Sequence, residues 1–169
     1  DGKEFVGGTG DEFDWFIGLF YGSCRNKVTN NRITTGGTAI ALYDDNIAVT
    51  LTDPCENNRI AGNVLSSSRS AAYNDNSSGP TLFEGNTVEA CNATAAGSNG
   101  AIEVGYGIKI IRGNNIHDWV TGAAITINSG TPTMVIEGNT MSSDQAGALY
   151  GIYSSGILPG PRVCNNTID

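Results

Sequence analysis

Two glutamates and an arginine are the residues of this 169-residue chain whose types and spacing best suit chemistry. Glu84, Arg112 and Glu137 follow one another at intervals close to 27 residues. A repeat of that length stacks them on one outward column. Carboxylates flanking a guanidinium suit acidic-sugar binding, because arginine pairs with carboxylates through two hydrogen bonds. A pair of carboxyls about 5–9.5 Å apart is also the arrangement of glycoside hydrolysis. The same trio makes a cross-strand salt-bridge ladder, which stabilises facing strands with no chemistry at all. The ladder is the simpler account. No catalytic residue is assigned, and Glu84, Arg112 and Glu137 stand as glycan-site candidates only.

Other candidates are sparser. His117, the single histidine, precedes Asp118, and strand neighbours point to opposite faces, so no dyad is expected. Asp44, Asp45 and Asp53 offer oxygen ligands of the kind calcium takes, but a solvated turn uses the same residues. No metal site and no cofactor are expected. Asn76 and Asn92 head N-glycosylation sequons in polar stretches. A third sequon at Asn165 falls where a glycan would obstruct stacking.

A recurring corner would place these side chains. Asn30-Asn31-Arg32-Ile33, Asn57-Asn58-Arg59-Ile60, Gly85-Asn86-Thr87-Val88, Gly113-Asn114-Asn115-Ile116, Gly138-Asn139-Thr140-Met141 and Asn165-Asn166-Thr167-Ile168 share one pattern. The first position holds Asn or Gly, the residues that most readily take a left-handed backbone. The second is always Asn. Asn31, Asn58, Asn86, Asn114, Asn139 and Asn166 are therefore expected to stack about 4.8 Å apart as a carboxamide ladder. Two positions on lies an aliphatic column (Ile33, Ile60, Val88, Ile116, Met141, Ile168). Three positions before lies another (Val28, Cys55, Phe83, Ile111, Ile136, Val163). A second strand has a Gly-x-Ala-Ile flavour, as in Gly37-Thr38-Ala39-Ile40 and Gly122-Ala123-Ala124-Ile125. Long polar loops are expected over 66–80 and 90–99.

These repeats resemble the right-handed parallel β-helix superfamily, the pectate-lyase-like fold, over residues 26–169. The resemblance implies an all-β solenoid of about six coils of roughly 27 residues on an asparagine ladder. It implies little about activity, since lyases, hydrolases, tailspikes, adhesins and structural proteins share the fold. The paired aspartates and Gly-His-Gly of polygalacturonases are missing from this sequence, as is the basic calcium face of pectate lyases. Residues 1–25 lack the corner and carry Phe13, Trp15, Phe16, Ile17, Leu19, Phe20 and Tyr21. They read as an N-terminal cap or an intersubunit contact.

The register also constrains the cysteines. Cys24 and Cys55 fall on neighbouring coils about four positions out of step, which allows a disulfide if the first coil is irregular. Cys91 and Cys164 lie three coils apart, roughly 14 Å, beyond the ~7 Å between Cα atoms that a disulfide tolerates. They stay as thiols or pair between molecules.

Composition bounds the function. Nine basic against seventeen acidic residues give a net charge of −8, with no basic stripe for nucleic acid. No run nears the ~18 apolar residues of a transmembrane helix. Four cysteines and the sequons in an acidic, Gly- and Asn-rich chain suit a secreted or cell-surface setting. The final coil ends at an open strand edge, which suits self-association through the coil ends. The expectation is a non-catalytic extracellular structural protein, a filament subunit or adhesin. The alternative is a carbohydrate-active module, a polysaccharide lyase, hydrolase or glycan-binding spike. An ice-binding surface on Thr87, Thr140 and Thr167 is weaker, because Arg32, Arg59 and Asn115 would interrupt the column.

Overall fold

The structure, a computed structural model, describes residues 2–6, 15–20, 22–43, 55–66, 69–91, 100–128, 133–154 and 161–169. Asp44, Asp45, Asp53 and Asn92 lie outside the described residues, and so do the calcium and glycosylation readings placed on them.

Among the described residues, three parallel sheets of seven, six and six strands wrap around one apolar core, and none of these residues is helical. The chain visits the sheets in a fixed rotation, so every strand pairs with the strand three places along. This is a parallel β-solenoid. The first sheet holds Glu4–Val6, Arg32–Thr34, Val64–Ser66, Thr87–Glu89, Asn115–His117, Thr140–Ser142 and Thr167–Ile168. The second holds Trp15–Phe20, Thr38–Tyr43, Tyr73–Asn76, Gly100–Val104, Thr121–Ile127 and Gly147–Ser154. The third holds Lys27–Thr29, Asn58–Ala61, Thr81–Glu84, Lys109–Arg112, Met134–Glu137 and Arg162–Cys164. Within residues 1–25, Glu4–Val6 and Trp15–Phe20 are thus strands of the same sheets, paired with Arg32–Thr34 and Thr38–Tyr43.

The asparagine ladder is present with one member exchanged. It runs Asn31, Asn63, Asn86, Asn114, Asn139, Asn166, six side chains spanning five turns. From Asn63 onward each Oδ1 accepts both the backbone N–H and the Nδ2–H of the asparagine one coil earlier, at 2.9–3.2 Å, and the Oδ1 of Asn31 accepts from the Lys3 backbone N–H at 3.2 Å. The second Nδ2 hydrogen goes to a carbonyl of the third sheet: Asn86 to Ile60, Asn114 to Phe83, Asn139 to Ile111. Every carboxamide in the middle of the stack therefore satisfies its own polar atoms and those of its neighbours, which burial demands. The preceding residues Asn30, Gly62, Gly85, Gly113, Gly138 and Asn165 all have φ between 55° and 65°, the left-handed corner that Asn and Gly were expected to supply.

Asn58 is not in that ladder. It sits at the corner entering the third sheet, where its Oδ1 accepts from the backbone N–H and Nδ2 of Asn26 at 2.9 and 3.1 Å. Its own Nδ2 donates to the Ser23 carbonyl at 2.7 Å. Arg25 and Asn57, the residues before this pair, also have positive φ. Two corners of the coil thus use the same left-handed-plus-Asn solution, and sequence spacing alone confused them. The true turn from Asn31 to Asn63 is 32 residues and the next only 23.

Correcting that corner corrects the columns. Ile33, Leu65, Val88, Ile116 and Met141 stack inside the first sheet, with Leu65 where Ile60 was expected. Val28, Ile60, Phe83, Ile111 and Ile136 stack inside the third, with Ile60 in place of Cys55. All except Val28 are at most 1% exposed. A short turn of 23 residues must fit its second-sheet strand inside the stretch expected to be a loop, and Tyr73–Asn76 does so. Tyr73 enters the core there and stacks on Phe83, ring centroids 4.3 Å apart.

Candidate functional site

Glu84, Arg112 and Glu137 do share one outward column of the third sheet, in register on three successive coils. Thr29 and Ala61 precede them and Cys164 follows. Ala61, two places before Asn63, fills the position that Glu56, two places before Asn58, would take if Asn58 were the rung. Beside this column runs a second outward one of Lys27, Arg59, Leu82, Ile110, Val135 and Arg162. Strand alternation aims both columns away from the core.

A shallow trough of about 770 Å³ follows the first column and its corner, lined by Arg59, Glu84, Arg112, Glu137 and glycines of the left-handed turns. The glycines keep it open, because Gly85 and Gly113 present no side chain and an added Cβ would meet nothing within 4 Å. A smaller apolar recess of about 390 Å³ adjoins it, over Leu82, Ile108 and Ile110.

The charges in the trough are engaged with one another. Arg112 donates through Nε and Nη2 to Oε2 of Glu84 at 2.9 and 2.8 Å, and Arg59 holds Oε1 at 2.7 Å from its other side. The hydrogen bonds from Arg112, then those from Arg59, hold the Glu84 carboxyl below its ordinary range. An acid catalyst needs the opposite shift, so Glu84 is in the wrong state to protonate a leaving group. Glu137 has a looser partner, Arg162 at 3.9 Å. The ion pairing is concentrated on Glu84, between Arg59 and Arg112, and Glu137 stands in the same column outside that pairing.

A pH consequence follows. Because the folded-state pKa of Glu84 is lowered, its stabilising contribution is present above about pH 4.5 and is lost as pH falls through the lowered value. Both arginines are half exposed, so the contribution is small, under about 1 kcal/mol per pair. Glu84→Gln is therefore expected to lower stability slightly at neutral pH. It should flatten the loss of stability that sets in as pH falls below about 4.5, as read from urea unfolding across pH.

His117 and Asp118 do meet, contrary to strand alternation. Asp118 has φ 56°, a left-handed corner that folds its carboxylate back to His117 Nδ1 at 2.9 Å. Glu89 lies 3.6 Å from Nε2, in the same outward column one coil earlier. No Ser or Cys nucleophile is among these contacts, and among the described residues no cluster of three His, Cys, Asp or Glu suits a metal ion.

No disulfide joins Cys24 to Cys55, and none of the four cysteines is in one. Lys27 pairs with Arg59, so extending that register sets Cys55 level with Ser23 and Cys24 level with Glu56. The two cysteines are one place out of step and face opposite sides. Cys55 is buried with its thiol toward the carbonyls of Leu19 and Tyr43, whereas Cys24 is exposed. Asn76 ends a strand rather than riding a loop, and its Nδ2, the atom a glycan would take, donates to Asn74 Oδ1 at 2.9 Å.

The chain matches no family model, and no curated protein or solved structure shows significant similarity to it. Fold and geometry are what describe it. No helix is long and apolar enough to cross a membrane among the described residues.

One cluster escaped the sequence reading. Asp75 stands in an inward column of the second sheet between Leu42 and Val104, and Lys109 in an inward column of the third between Thr81 and Met134. Asp75 is 0% and Lys109 1% exposed. Lys109 Nζ lies 2.8 Å from Asp75 Oδ1, 2.8 Å from Ser77 Oγ and 3.0 Å from the Gly79 carbonyl. Tyr73 donates to Asp75 Oδ2 at 2.7 Å, and Ser77 donates to Oδ1 through backbone N–H and hydroxyl. Burial, more than the nearby Asp75 charge, pushes the Tyr73 phenol well up, so it keeps its proton.

Proposed function

We propose that this chain is a non-catalytic extracellular structural solenoid, a surface or fibre component that associates through its coil ends. The observation that carries the reading is the neutralised trough: Glu84 is committed to Arg59 and Arg112 and is poorly suited to acid catalysis. Membership of the pectate-lyase-like superfamily belongs to the same proposal, supported by the Asn-x-aliphatic corner. Light scattering over a concentration series, with negative-stain imaging, is expected to show end-to-end assemblies. A compact monomer at every concentration would sink the assembly reading.

The trough favours a second reading, a glycan-binding surface, since it crosses several coils beside an apolar strip. Binding to acidic oligosaccharides on a glycan array, abolished by Arg112→Ala, would support that reading over the first.

A further inference from the structure

The Asp75–Lys109 pair goes beyond the proposed structural role, since it is buried inside the solenoid and takes no part in the trough. Two opposite full charges lie within the solenoid interior, at 0% and 1% exposure. Their strands belong to successive coils and to different sheets. An apolar interior penalises a buried pair of charges relative to the neutral amide that could replace it. The contact distance of 2.8 Å between Nζ and Oδ1 keeps the amine against the carboxyl group. Held proximity of this kind is worth effective molarities of about 10⁵–10⁸ M in well-oriented intramolecular reactions.

We propose that Lys109 and Asp75 condense to an intramolecular isopeptide bond, a covalent staple between successive coils. The atoms balance within the pair. A proton passes from the Lys109 ammonium to Asp75 Oδ1, which leaves a neutral amine beside a carboxylic acid. The Nζ lone pair attacks Cγ, and the C–O electrons move onto Oδ2, where the Tyr73 hydroxyl stabilises the developing oxyanion. The nitrogen then gives up a second proton to Oδ1, the Cγ–Oδ1 bond breaks, and Oδ1 departs as water. No oxidant, reductant or further reactant enters, and the Nζ–Cγ amide replaces two buried charges. Ser77 Oγ and the Gly79 carbonyl, at 2.8 and 3.0 Å from Nζ, lie where they can accept the protons on nitrogen and then the amide N–H.

Intact-mass spectrometry of the denatured, purified protein tests this without requiring any variant to fold. The expected result is a mass lower than that of the sequence by one water, with a branched peptide joining the segments that carry Asp75 and Lys109. Lys109→Arg should restore the full sequence mass. Asp75→Asn should lose one ammonia instead, since the leaving group changes while the amide formed is the same. Tyr73→Phe should slow the appearance of the light form after refolding by about 10²-fold, the usual cost of losing one oxyanion donor. A wild-type protein at full sequence mass with an unmodified Lys109 peptide overturns the proposal. So does a light form whose lost water maps to a cyclic imide elsewhere in the chain.

Discussion

Asn86→Ala is expected to destabilise the solenoid by about 3–5 kcal/mol, far more than a surface substitution. The side chain accepts from the backbone N–H and Nδ2 of Asn63 and donates to Ile60 O and Asn114 Oδ1. Alanine removes all four bonds at a site 1% exposed, where water cannot replace them. Each buried polar group left without a partner costs about 1–3 kcal/mol. The backbone N–H of Asn63 and the carbonyl of Ile60 are the ones most affected. Asn86 also lies near the middle of the stack. A solenoid is held together by contacts between neighbouring repeats, so the loss weakens the link between its two halves. Urea unfolding should show a lower midpoint and a broader or stepped transition. Asn58→Ala removes three bonds from a ladder of only two members and should cost less. An Asn86→Ala variant within about 1 kcal/mol of the parent would show that the ladder is ornament.

Lys109→Met carries the second large expectation, a loss of about 3–5 kcal/mol. The methionine fits the volume, but the Asp75 carboxyl then loses its lysine partner at 0% exposure and is left with Tyr73 and Ser77. The double variant Asp75→Leu with Lys109→Met should be more stable than either single change. It removes the stranded carboxyl and places an aliphatic group between Leu42 and Val104 in that column. Thermal and chemical unfolding of the four proteins closes the cycle and measures the whole coupling between the two side chains, the proposed amide included. A double variant no better than Lys109→Met alone would show that packing, not charge, governs the site.

The sequence made the period legible because chemistry at the corner is narrow: a left-handed residue, then an asparagine, then strand alternation. It misplaced one rung for the same reason. Arg25-Asn26 and Asn57-Asn58 satisfy identical chemistry at another corner, and Asn58 happens to follow Asn31 by an interval close to the mean repeat. The signal that separates them was present. Gly62-Asn63-Val64-Leu65 has its aliphatic residue two places after the asparagine and Ile60 three places before, matching both interior columns. The Glu84–Arg112–Glu137 ladder lies beyond the mistaken rung, and so it was placed correctly. Asp75 and Lys109 were illegible on hydrophobicity alone. In Ile108-Lys109-Ile110-Ile111 the lysine is buried while Ile108 is exposed. Polarity argued for the reverse, because the compensating carboxylate is 34 residues away in the chain. The His117–Asp118 contact was missed because a left-handed residue ends the strand there and cancels its alternation.

The unequal turns have an engineering consequence. Successive rungs are joined by as many as 32 residues or as few as 23, yet the carboxamide spacing at the ladder is the same throughout. Length variation is therefore absorbed away from the ladder, without disturbing its neighbours. Each coil behaves as a cassette whose outer segment can be lengthened or exchanged independently. Peptides grafted between successive strands of one coil would be displayed at a fixed pitch, as teeth on a rack.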